Sequence, residues 1–105
     1  MDEIVTFLKK LGIDNPFCSC FFPDEDDLVY IERSIDTNEE LETAFENAKR
    51  FVMKSKQSPN NELYAECLER QLARIEVGLY MVFGKGKSDS FTVDTYKEIR
   101  SSLGF

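Results

Sequence analysis

Histidine and tryptophan are missing from this 105-residue chain, and cysteine and proline are scarce, at three residues each. The lack of histidine removes the usual general base, the commonest metal ligand and the side chain that titrates near neutral pH. Three cysteines without a histidine cannot close a structural zinc site unless carboxylates complete it, and the Cys18-Ser19-Cys20 spacing is one residue short of the common pattern. The odd cysteine count and the lack of a recognisable leader read as reduced thiols in a cytoplasmic setting. No apolar stretch approaches the roughly 20 residues of a membrane-spanning helix. Excess basic charge is also missing. The net charge of −7 argues against a direct grip on nucleic acid or on an anionic membrane.

What is present is a modest core and a divided charge. Apolar residues make up 42% of the chain and include nine Phe and four Tyr, enough for one small folded domain. Residues 1–48 hold 13 acidic and 3 basic residues, and residues 49–105 hold 7 acidic and 10 basic. One part therefore carries −10 and the other +3. A chain so divided can attract copies of itself head to tail if the division survives folding.

Helical periodicity dominates. Ile4, Phe7, Leu8 and Leu11 share one face of a predicted helix over residues 2–11, which Gly12 and Ile13 should end in a Schellman-type stop. Residues 14–23 lie between prolines, lack a helical period and read as a loop or short extended segment. Phe17, Phe21 and Phe22 would tuck against the core, and Cys18 and Cys20 would face one side. Residues 28–35 suit a short helix opened by the acids before them, although the β-rich run Leu28–Ile31 also suits a strand. Thr37 and Glu40 form a capping box for a helix to about Lys54, with Leu41, Ala44, Phe45, Ala48 and Val52 as its stripe. After a turn over residues 55–58, Ser58 and Pro59 would open the longest helix, to Phe83. Its stripe is Tyr64, Leu68, Leu72, Ile75, Leu79, Val82 and Phe83. From Val77 to Phe83 it is apolar nearly all round, which suits burial on several sides. Residues 84–90 read as a polar connector. A brief extended piece at residues 91–93 and a last helix over residues 95–103, capped by Asp94, would follow.

The acidic cluster Asp24, Glu25, Asp26 and Asp27 invites a calcium reading, but the positions that should supply later ligands and the loop glycine hold Leu28, Val29 and Ile35. Anions favour a helix N-terminus, so the cluster can open a helix, present a docking face to a basic partner, or do both. Gly84–Ser88 resembles a phosphate loop only superficially: Met81 stands where the first glycine belongs, and a helix precedes it instead of a strand. Lys85 and Lys87 remain as positive charge. Cys67 lies on or beside the long apolar stripe, where a small buried hydrophobe is the simple reading. An enzyme would require a pocket with a buried carboxylate of raised pKa.

Two stretches resemble known families. Residues 24–45, "DEDDLVYIERSIDTNEELETAF", are similar to the acidic OPCA motif of Phox-and-Bem-type interaction domains. That likeness implies Asp24, Glu25, Asp26, Asp27, Glu39 and Glu40 as a surface for a basic partner. Those domains are β-grasp-like, with a hairpin and helix ahead of the motif. The order of "DEDDL", "LETAFENAKRFV", "ELYAECLERQLARIEVGLYMVFGKGKSDSFTV" and "YKEIRSSL" resembles the small head–tail connector proteins of tailed phages, and covers more of the chain. This second resemblance implies a homo-oligomeric ring beneath a portal, a C-terminal segment docked on neighbouring virion proteins, and no catalytic set.

The expectation is a mainly α single domain, residues 1–105. It is a small bundle built on an antiparallel helix pair, with an N-terminal helix on one side and residues 84–105 as an extended, flexible or partner-docked arm. Asp24, Glu25, Asp26, Asp27, Lys85, Lys87 and Arg100 are the expected partner-binding residues. The partners would be further copies of the chain and virion proteins such as a portal, with no cofactor, nucleic acid or membrane. The location would be cytoplasmic, or virion-associated under the connector reading. The alternative is a small acidic module, of the inhibitor or immunity type, that masks a basic surface.

Overall fold

The computed structural model describes residues 2–21, 35, 37–58, 60, 62–84 and 90–102. It is a small helical bundle built from α1 (Asp2–Lys10), α2 (Cys18–Phe21), α3 (Asn38–Gln57), α4 (Glu62–Phe83) and α5 (Ser90–Ser102). The expected readings of residues 22–34, including the helix-or-strand question at Leu28–Ile31, lie outside the described residues. So do Asp24, Glu25, Asp26, Asp27, Lys85 and Lys87.

α1 ends as its sequence requires. Gly12 takes φ +86°, its N–H bonds the Lys9 carbonyl at 3.0 Å, and the Ile13 N–H reaches back to Leu8 at 3.0 Å. That pair of hydrogen bonds is the Schellman motif, and Leu8 and Ile13 are both buried beside it. α1 lies on α4, with Ile4 and Leu8 in the core. Phe7 meets Tyr80 edge to face at 5.6 Å, and Tyr80 donates to Glu3 at 3.2 Å.

α3 and α4 form the antiparallel pair. Thr37 caps α3, its side chain accepting the Glu40 N–H at 3.2 Å. The stripe Leu41, Ala44, Phe45, Ala48 and Val52 is buried, with Phe51 half-buried at its edge. The helix runs to Gln57 rather than Lys54, because Lys and Gln are good helix formers and nothing stops the chain before Pro59. Ser58, disfavoured from helical backbone by the proline after it, leaves the helix with φ −131° and ψ 69° and is the C-cap of α3. It is not the N-cap of α4, which begins later, at Glu62.

α4 is the central element. Residues 75–79 are all buried, so this part of the helix is enclosed on every side, as its apolar run suggests. Gly78 permits that enclosure: a Cβ there would lie 2.4 Å from Ile35 Cγ2. Ile35 is itself buried in the core.

The segment expected as an arm enters the bundle in its last part. α5 is helical from Ser90, so residues 91–93 are not extended and Asp94 lies within the helix rather than capping it. Val93, Tyr96 and Ile99 are buried, and α5 packs against α3. Burial of Val93 decides the helical start against the weak propensity of Thr and Val. The Cα radius of gyration, 13.0 Å, is that of a compact domain of about 100 residues.

Candidate functional site

The chemically distinctive feature of the interior is one carboxylate. Glu76, in the enclosed stretch of α4, is the buried charged residue among the described residues, with 0% exposure. Glu76 Oε1 accepts the Phe17 N–H at 3.0 Å and Oε2 accepts the Cys18 N–H at 3.0 Å. These two N–H groups open the α2 turn and would otherwise be orphans of a helix start. The Tyr96 hydroxyl of α5 donates to Oε1. Arg100 Nη1, also of α5, stands 3.5 Å from the same oxygen.

Arg100 is used further. Its Nη2 donates to the carbonyls of Asp14 at 3.0 Å and Asn15 at 3.4 Å, and its guanidinium lies 5.0 Å from the centre of the Phe17 ring. Asn15 holds a left-handed backbone conformation, φ 55°, which asparagine tolerates better than most residues. One carboxylate and one guanidinium thus tie α4, α5, α2 and the loop after α1 together.

The electrostatics follow from enclosure. Burial pushes the Glu76 carboxyl above its ordinary range, against the opposing pull of Tyr96, the two backbone N–H groups and Arg100. Burial, and then the adjacent Glu76 charge, push the Tyr96 phenol far above its usual value. The hydroxyl therefore stays protonated and is the donor of the pair.

This arrangement corrects several expectations. Arg100, expected on a partner-binding surface, is nearly buried: its side chain is 11% exposed and engages Glu76, Phe17 and two carbonyls. Residues 18–21 are not a loop or extended piece but a helical turn, so the strand geometry expected there is not formed; Cys18 is buried. Ser19 Oγ bonds the Pro16 carbonyl at 2.8 Å. Cys67 is half-buried rather than fully enclosed. Glu76 was missed by periodicity, although one signal pointed to it: a lone acid immediately before the run Val77–Phe83, on a helix buried all round.

The hub ties helices together. Glu76 has no exposed surface, and its oxygens are filled by protein donors. Open depressions lie elsewhere on the described surface. One of about 330 Å³ lies between α3 and α4 at Glu40, Thr43, Asn47, Gln71 and Arg74. Another, of about 410 Å³, lies beside α1 at Glu3, Thr6, Lys10 and Tyr80. Neither is lined by Glu76. Among the described residues no cluster of three His, Cys, Asp or Glu is placed to hold a metal ion, and no helix is long and apolar enough to cross a membrane.

α3 carries a long run of exposed charge. Its outward residues are Glu39, Glu42 and Glu46 in the N-terminal half, then Lys49, Arg50, Lys54 and Lys56 in the C-terminal half, all exposed. The reversal of charge along the sequence therefore falls within one 20-residue helix. The signs suit the helix dipole, negative at the N-terminus and positive at the C-terminus. Set against protein-family models, curated proteins and solved structures, the chain matches none of them.

Proposed function

We propose that this chain is a non-enzymatic assembly protein that acts through contacts with other protein surfaces, including its own copies. The observation that carries the reading is the outer face of α3, where an exposed acidic half is followed by an exposed basic half. Such a face is complementary to a second one like it, and steers approach and register more than it adds raw affinity. The sealed state of Glu76 supports the same reading, since the buried acid serves the fold rather than a substrate. The concrete form of the proposal is a connector that self-associates and docks against a portal-type ring.

Size-exclusion chromatography with light scattering tests it, on the chain alone and mixed with a tailed-phage portal protein. The expected result is a mass above the 12.2 kDa monomer at low salt, and co-elution with the portal. A strict monomer that ignores the portal at low salt counts against it. The exposed acids Glu39, Glu40, Glu42 and Glu46 also suit an acidic module that masks one basic partner. That alternative gives a one-to-one complex, whereas an assembly protein gives many identical copies.

A further inference from the structure

The outer face of α3 carries a finer pattern than its two halves. Glu39, Glu42, Glu46, Lys49, Met53 and Lys56 follow one another at spacings of three and four residues, and every one is exposed. Alternating steps of three and four keep side chains on one seam, as in a coiled coil. This seam lies beside the outward line of the helix, away from Leu41, Ala44, Phe45, Ala48 and Val52, which face the core. It spans about 26 Å at 1.5 Å per residue. Its apolar member, Met53, is 63% exposed.

We infer that two copies of this chain pair through α3, laid side by side and antiparallel about a two-fold axis between Glu46 and Lys49. That axis sets Glu46 opposite Lys49, Glu39 opposite Lys56 and Glu42 opposite Met53, each contact occurring twice. Four carboxylate–ammonium pairs result, and each Met53 lies on the methylenes of the facing Glu42. A parallel pairing in register would set each charge against its like, which opposes it. Within each charge pair, the acid and the base sit at equal distances on either side of the helix midpoint, and this symmetry is what an isologous contact requires.

Exposed ion pairs contribute little each, so the dimer is weak, reversible and salt-sensitive. The inference rests on the assembly reading and names one contact within it. A two-fold contact closes at two copies, so contacts that build a ring would use other faces of the bundle.

Sedimentation velocity at about 50 and about 500 mM salt tests the pairing, because added salt shortens the range of such charges. Wild type is expected to dimerise, with a dissociation constant rising about tenfold or more at the higher salt. The Lys49→Glu/Lys56→Glu variant and the Glu39→Lys/Glu46→Lys variant should each be monomeric alone. Mixed together they should form a one-to-one heterodimer. Circular dichroism checks that both variants keep their helices, as substitutions on an exposed face should. A dimer indifferent to either charge reversal overturns the assignment to α3. Species larger than two that respond to the same reversals overturn the two-fold geometry and leave the assembly reading intact. A wild-type chain that stays monomeric at low salt overturns the pairing, while portal co-elution then decides the broader reading separately.

Discussion

Glu46 on α3 and Glu76 on α4 carry the same carboxyl group on neighbouring helices, yet Glu46 is exposed and Glu76 has no surface in water. Around Glu46, acids and bases stand in separate halves of one helix face, hydrated and screened. Around Glu76, one acid, one base and one phenol from two helices close on each other and on two backbone N–H groups. The contrast shows that the environment, not the residue type, assigns a charge its task. Outside, charge contributes little to stability and remains open to a partner. Inside, its removal from water costs several kcal/mol per ion, which only a complete set of donors offsets.

The comparison breaks most sharply at Glu76. Glu76→Ala strands the Phe17 and Cys18 N–H groups, the Tyr96 hydroxyl and a nearly buried Arg100. The expected loss is about 3–5 kcal/mol, read as a lower urea midpoint at unchanged slope. Replacing the polar set together, as Glu76→Leu/Tyr96→Phe/Arg100→Met, should recover part of that loss, because fewer buried groups are left unpaired. A triple variant as unstable as Glu76→Ala would show that the hub does more than satisfy itself.

Tyr96→Phe keeps the ring and removes one donor. It should cost about 1–3 kcal/mol, and an unchanged midpoint would mean that the hydroxyl is dispensable to Glu76. Titration sharpens the same point. Glu76 has a folded-state pKa above its ordinary 4.5, so across that window the folded chain holds a proton more tightly than the unfolded chain. Its contribution is complete below the ordinary value and is lost as pH rises through the raised one. Wild type should therefore lose stability relative to Glu76→Gln as pH climbs above 4.5; a difference that stays flat or reverses contradicts the raised pKa.

The smallest effect belongs to the outside. Glu39→Lys/Glu46→Lys should lower stability by no more than about 1 kcal/mol, the loss of a favourable first-turn charge at Glu39, because exposed pairs contribute so little. The same variant should lose self-association. If it unfolds readily instead, α3's outer charges are part of the fold and the contrast with Glu76 fails.

Much of the architecture could be read from periodicity. The Schellman stop at Gly12 and Ile13, the Thr37 cap, the buried stripe of α3 and the burial of Val77, Gly78 and Leu79 on α4 are local patterns, and local physics decides them. The ends of helices were less legible. Ser58 offers a hydroxyl to either neighbour, and only the path of the chain made it the C-cap of α3. The turn at Cys18–Phe21 was illegible, because the acid that accepts its first N–H groups lies 58 and 59 residues away. Arg100 misled for a similar reason: an arginine in a polar C-terminal stretch reads as surface until its carboxylate partner is brought to it.

The sequence by itself determined that the chain is helical, that its helices have greasy seams, and that its charge reverses near residue 48. Those properties depend on neighbours three or four residues away, where spacing alone sets which side chains meet. Only the tertiary structure decided which charges are consumed and which remain available. That decision depends on burial, and burial is set by helices that meet from distant parts of the chain: Glu76 lost its water to α2 and α5, while Glu46 kept it.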